Sequence, residues 1–418
     1  MKKLSLIILM SLLVISLYSF VGSAEKDKLT LLMSSGGAGQ ALVNSAEKFT
    51  EETGIEIEVI MLPIEDVRQK EVLALSQGAP TPEIISVGAT WLPQIWKYLE
   101  PIKLDKEKIN SFVPSMIESY RWPIRGEGPY LAAPVRMGGD VIIYRQDVFE
   151  EEGIDPASIK TWEDLLSIAK KLTKPTERQW GYVQTFNAAA DVLVQWCTLL
   201  YNYGVDILNS DGTKAAFNTE NGVRATKILV ELTNEASPPG VLNYGYGEAI
   251  EALQTGTAVM AMLWSPRFQL VNSPDFPHYG EFKVLPYFPG STGRKGTAMI
   301  YGWGIGINKN SDSKNKDSAL KFLNFVTSKE EQLRLATKFS NSPTVKDVFS
   351  DPAYLTAIPV ALEIAKAMEN AKSRPMHVKT PEIEEAISLE ILKAILKEKT
   401  IEEALASAEK SVNEIIAE

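Results

Sequence analysis

The sequence predicts an α/β protein built from two units. Segments of strand and helix period alternate from Leu29 onward, a second alternating run follows Val141, and 418 residues exceed what one hydrophobic core organises. Leu29 to Met33 reads as a short buried strand and Ser34 to Gly39 as a turn. Ala41 to Thr53 follows as a helix with Leu42, Val43, Ala46 and Phe49 inward, stopped by Gly54. Ile55, Ile57 and Val59 alternate with glutamates as a second strand, Ile64 to Ser76 forms another helix, and Glu83 to Val87 a third strand. This order implies a parallel sheet, in which ligands bind beyond the carboxyl ends of the strands, here Ser34 to Gly37, Leu62 to Asp66 and Gly88 to Trp91.

Pro134 and the pair Gly138-Gly139 precede the strand Val141 to Tyr144, so the chain leaves the first unit there. Helices at Thr161 to Leu172 (capped by Thr161), Ala190 to Tyr203, Glu220 to Ala236 and Tyr246 to Thr255, with the strand Ala258 to Trp264, make the second unit. After Val284-Leu285-Pro286 the chain returns toward the first, through a strand in which Tyr301, Trp303, Ile305 and Ile307 share one side while Gly302, Gly304 and Gly306 leave the other bare. In the helix that follows, Ala319, Phe322, Leu323, Phe325 and Val326 form an apolar stripe that packs on a core. A helical tail runs from Pro359 to Ile416.

The N-terminus carries Lys2 and Lys3, an apolar run from Leu4 to Val21, and the small residues Gly22-Ser23-Ala24, which together read as a secretory signal cleaved after Ala24. The rival reading is an uncleaved membrane anchor. No cysteine follows the run, so no lipid anchor is expected, and the single Cys197 forms no intramolecular disulfide and reads as a buried small hydrophobe. A formal charge of -10 without a basic cluster argues against nucleic acid. SSGGAGQ contains neither G-x-G-x-x-G nor a Walker lysine, and His278 and His377 are lone, so no nucleotide, cofactor or metal is expected.

Five segments in order resemble the extracellular solute-binding proteins of ABC importers, in the sugar-binding branch that includes maltose-binding protein. These are AEKFTEETGIEIEVI, AAPVRMGGDVIIYRQDVFEEEGID followed by TWEDLLSIAKKL, AIEALQTGTAVMAMLWSP, GWGIGINKNS with ALKFLNFVTSKEEQ, and the closing IEEALASAEKSVNEII. The resemblance implies a two-lobe periplasmic binding protein fold (type II-like) with a ligand cleft between the lobes. It implies three hinge crossings, near Met137 to Gly139, Val284 to Pro286 and Phe325 to Thr327. One lobe would hold residues 25–137 and 286–326, the other 138–285 and 327–418. A monomer is expected, free in the periplasm, that captures a carbohydrate, an oligosaccharide given 8 Trp and 14 Tyr, and passes it to membrane permease subunits. Alternatives are a non-sugar solute, or a secreted carbohydrate-active hydrolase, which would need two carboxylates facing one cleft.

A sugar site needs aromatic faces for stacking and charged or amide groups for its hydroxyls. Trp264 ends a strand and, by the resemblance, matches the family's stacking tryptophan, with a core position as the alternative. Trp303 and Tyr301 serve either cleft or core, and Trp91 either lines the cleft or caps the helix after it. Arg136 and Asp140 flank the proposed hinge and either bind hydroxyls or pair with each other. Glu65 and Asp66 follow the second strand, where a helix's first turn favours acids regardless of ligand. Ser34, Ser35 and Gly37 sit at a strand-to-helix turn with free backbone N–H groups. Asn187 and Arg374 lie in loops resembling those with which relatives approach ligand.

Overall fold

The computed structural model describes residues 28–123, 127–368, 370–374 and 377–418. The leader expected over residues 1–24 lies outside them. Nine strands are present among these residues: β1 (Lys28–Ser34), β2 (Glu56–Leu62), β3 (Ile84–Gly88), β4 (Ala133–Arg145), β5 (Trp180–Val183), β6 (Ala258–Trp264), β7 (Phe282–Val284), β8 (Met299–Ile307) and β9 (Lys372–Ser373). They follow the order β2-β1-β3-β8-β4-β6-β5, with β7 on β4 and β9 on β8.

β1 pairs with β2 and β3 in parallel, each joined through a helix, Gly37–Thr53 and Ile64–Ser76. The first helix stops where Gly54 takes the left-handed conformation, φ 76°, and its N–H bonds the Thr50 carbonyl. Leu29, Leu31 and Phe49 are fully withdrawn from water, each such burial stabilising by roughly 1.5–3 kcal/mol. β2 is the edge strand, and Lys28 bridges its outward Glu56 and Glu58. The helix Ser313–Val326 lays its apolar stripe on the first helix, with Phe322 and Phe325 against Phe49 at 5.3 and 5.4 Å between ring centroids.

β4 joins the two halves of the sheet. Its residues Ala133 to Gly139 pair antiparallel with β8, whereas Asp140 to Tyr144 pair with β6 and Ile143 to Arg145 with β7. The change of partner falls between Gly139 and Asp140. A side chain at Gly138 would place its Cβ 1.8 Å from Nε1 of Trp264, so glycine is what lets the indole lie on the strand. β8's glycine face is covered from its own half of the sheet: a Cβ at Gly304 would meet Tyr120 at 2.8 Å. Close approach by a core side chain thus explains that bare face.

Two segments make contacts other than those the sequence suggests. Residues 286–297, read as returning to the first lobe, bond to the second half: Gly290 N–H to the Lys160 carbonyl at 2.9 Å, and Thr297 N–H to Asn202 Oδ1 at 2.7 Å. The helix Lys329–Phe339, placed after the third crossing, packs on the first half. Ser45 donates to its Glu331, Gln332 Nε2 reaches the Val135 carbonyl at 3.1 Å, and Thr344 beyond it bonds the Pro134 carbonyl at 2.8 Å. Helices Thr380–Ile395 and Ile401–Ala417 pack on one another and close against the second half, where Ser388 bonds the Ala189 carbonyl and Asn413 accepts from the Ala215 N–H. The helix Trp162–Leu172 begins at a reciprocal cap between Thr161 and Asp164, as its sequence requires. Cys197 is buried, and burial pushes its thiol up to about 12. Among the described residues no helix is long and apolar enough to cross a membrane.

Candidate functional site

The carboxyl ends of β1 and β2 face the end of β6 and the middle of β4 across a cleft. Two adjoining hollows occupy it, about 600 and 310 Å³, and both are lined by Ile64, Trp264, Arg267 and Trp303. Another hollow of about 380 Å³ lies between the first helix and edge strand β2, away from these strand ends.

Trp264, the last residue of β6, is paired with Asp140 in register and is half-buried, with one ring face on Gly138. Its Nε1 has no hydrogen-bond partner, and the Arg136 guanidinium sits 5.2 Å from a ring centroid. Trp303, on β8, lines both hollows although only 4% exposed, and is braced edge-on by Trp91 at 4.9 Å. Trp91 lines neither hollow: it packs behind Trp303. Tyr301 lines the smaller hollow, where burial pushes its hydroxyl up to about 12, and the Arg374 guanidinium lies 5.5 Å from its ring.

The polar groups divide between the two hollows. Ser34, Ser35, Gly37 and Arg136 line the larger, and Asp140 and Arg374 the smaller. Arg136 lies on β4 beside a register shift that follows Pro134. Burial, then the neighbouring charge of Arg267, pulls its pKa down to about 10, so it remains cationic at neutral pH. Asp140 is 4% exposed; burial pushes its carboxyl up to about 7, against the opposing hydrogen bond from Thr198 at 2.8 Å, the charge of Arg374 and the Met299 N–H. Arg136 and Asp140 are therefore not each other's partners. Arg374 pairs with Glu384 at 2.6 Å and leaves its Nε without a partner.

Besides Trp91, three expected residues, Glu65, Asp66 and Asn187, stand apart from the cleft lining, and Asp66 is exposed. Glu65 is turned out to solvent and paired with Arg68 at 2.8 Å, although Pro63 and Ile64 beside it line the larger hollow. Asn187 is exposed and lies against Gly245, where a Cβ would come within 2.4 Å of its Nδ2. In their place the fold brings in Arg267, Gln269, Asp191 and Tyr246. Arg267 covers the Tyr246 ring at 5.1 Å, and its Nε has no partner. Asp191 is raised by burial, which Arg374 and Arg267 oppose. Of these only Arg267 had a signal in the sequence, since it follows Trp264 by three residues in Ser265-Pro266-Arg267. Among the described residues no group of three histidine, cysteine or acidic side chains could hold a metal ion.

An aromatic, partly charged cleft beyond strand ends, with one long strand running through both halves of the sheet beside it, defines the class of two-lobe solute-binding proteins. The sequence profile of bacterial extracellular solute-binding proteins matches residues 34–333, and the chain belongs to that family. The maltose-bound MalE3 of T. maritima superposes with a TM-score of 0.80 at 27% identity, over 93% of this chain and 99% of that one. Two sequence relatives have different described ligands. A probable amino-acid ABC transporter periplasmic-binding protein of Sinorhizobium fredii is 24% identical over 90% of this chain and 86% of its own length. An arabinooligosaccharide-binding protein of Halalkalibacterium halodurans is 22% identical over 75% of this chain and 69% of its own length.

Proposed function

We propose that this protein is an exported receptor that captures a carbohydrate in the cleft between its lobes, an oligosaccharide by the volumes of the two adjoining hollows, about 600 and 310 Å³, and delivers it to an ABC-type permease. The observation that carries this is the pairing of Trp264 with both kinds of polar group: an indole that lines both hollows, guanidinium donors in each, and Asp140 and Asp191 as acceptors in the smaller. Sugar rings offer C–H faces to such a surface and hydroxyls to such a rim. The maltose complex of MalE3 and the arabinooligosaccharide relative support a sugar over the amino acid of the Sinorhizobium relative.

The lobe boundaries proposed here follow the contacts. The first crossing lies in β4 between Gly139 and Asp140, the second at 298–300, and the third within 358–373, beyond the helix Pro352–Ala357 that packs on Lys329–Phe339. Ligand touching both lobes stabilises the closed state, and the permease reads that state. The protein acts as a monomer in the periplasm after loss of residues 1–24, without turning its ligand over.

A thermal-shift screen against mono- and oligosaccharides tests the reading, because a ligand bound only by the folded state raises the unfolding temperature by mass action. At least one saccharide should raise it in a saturable way. Stabilisation by amino acids alone, or release of cleavage products from a stabilising oligosaccharide, would contradict it.

A further inference from the structure

The larger hollow is electrically one-sided. Among the described residues its only charged side chains are Arg136 and Arg267, the latter at the border with the smaller hollow, where the carboxylates of the cleft, Asp140 and Asp191, lie. The Nε atoms of Arg136 and Arg267 are both buried without a hydrogen-bond partner, and neither guanidinium forms an ion pair among the described residues. The helix Gly37–Thr53 begins at the same place, with Gly36 before it, no side-chain cap and no acidic residue in its first turn. Its leading N–H groups have no intrahelical acceptor, and they carry the positive end of the helix dipole. Arg136 lies against that turn: a Cβ on Gly37 would be 3.3 Å from its Nη1.

Two neighbouring, partly desolvated cations, with Asp191 acting on Arg267 but not ion-paired to it, are costly, and a bound anion offsets the cost. A neutral sugar does not match this lining well. Each hydroxyl brings a proton that needs an acceptor as well as an oxygen that needs a donor; Ser34, Ser35, Ser340 and Gln269 can take such protons, but a neutral hydroxyl leaves the charge of both guanidinium groups uncompensated. A carboxylate only accepts, and a guanidinium fork fits it with two parallel hydrogen bonds.

Resting on the carbohydrate reading above, we propose that the ligand is an acidic sugar. Its anionic group, the carboxylate of a uronate residue, lies between Arg136 and Arg267 at the first turn of the helix. The sugar ring covers Trp264, and the remaining hydroxyls meet Asp140, Asp191 and Tyr246 in the smaller hollow. A phosphate ester of a sugar presents the same acceptor-only chemistry, and the test separates the two.

The mature protein would be mixed with oligosaccharide pools from polygalacturonate and glucuronoxylan, neutral pools from starch and arabinan, glucose 6-phosphate, and an amino-acid mixture. Retained species would be identified by native mass spectrometry and measured by calorimetry. The expected result is retention of a uronate-bearing sugar, with affinity that falls as salt rises from about 50 to about 500 mM, which shortens the Debye length roughly threefold. Arg267→Gln should weaken it about tenfold to a hundredfold, as for loss of a charge-assisted hydrogen bond. The salt dependence needs no variant, so a misfolded Arg267→Gln does not blunt the test. Preference for a neutral sugar, or salt-independent binding, overturns the acidic assignment and leaves the carbohydrate reading standing. Retention of glucose 6-phosphate without uronates overturns the carboxylate. Retention of amino acids only overturns both readings, and retention of nothing overturns the acidic assignment.

Discussion

Replacing Trp264 by alanine removes the more exposed of the two indoles, Trp264 and Trp303, that line both hollows. A sugar ring covering about 50 Å² of indole is stabilised by ~1.2 kcal/mol at roughly 25 cal/mol per Å². The directional part of an aromatic contact adds on the order of 0.5–1.5 kcal/mol. The expected loss is about 2 kcal/mol, a rise in Kd of roughly thirtyfold. The assay is calorimetric titration of wild type and Trp264→Ala with the saccharide that most raises the unfolding temperature. Because the indole also packs on Gly138, the unliganded variant should unfold at a lower temperature, and that loss must be measured separately. Unchanged affinity would refute the stacking argument. So would a thirtyfold loss accompanied by an unfolded unliganded protein, since the effect would then belong to the fold.

Gly138→Ala should weaken binding without deleting any ring, because the new Cβ would overlap Nε1 of Trp264 and displace the indole; affinity equal to wild type, by the same titration, would show that the ring's position is unimportant. Asp140 provides a pH signature. Its folded value of about 7 lies above its unfolded value of about 3.9, so between these limits the native state binds the extra proton and stability falls as pH rises. Asp140→Asn removes that fall while its amide oxygen still accepts from Thr198, so the unliganded variant should gain stability over wild type at pH 8 and little at pH 4.5. The upper bound is roughly 4 kcal/mol, from three units at about 1.36 each. Equal differences in unfolding temperature at the two pH values would contradict it.

Much of the fold was legible because local signals agreed with one another. β1 to β3 carry near-continuous or edge-type hydrophobic patterns, Gly54 ends a helix, and the Thr161 cap begins one, so a parallel first unit needed no distant information. The paths of 286–297 and of Lys329–Phe339 were not legible: apolar periodicity says that a helix is buried but not on which lobe, and the deciding contacts, Gln332 with Val135 and Thr297 with Asn202, are 197 and 95 residues apart in sequence. The site divides in the same way. Trp264 and the Ser34 to Gly37 turn stand at strand ends, where position alone points to a cleft. Asp191 and Tyr246 enter the smaller hollow from helices far apart in sequence, and neither has a local pattern that separates it from an ordinary helix residue. Glu65 shows the converse, since it follows Ile64 of the lining and the helical turn carries it out to Arg68.

Small-angle X-ray scattering of the mature protein, with and without a saturating saccharide, tests most directly that ligand capture and lobe closure are one event. The radius of gyration should fall on binding, and it should fall less with Trp264→Ala at the same saccharide concentration. A radius unchanged at full occupancy would contradict closure as the mechanism.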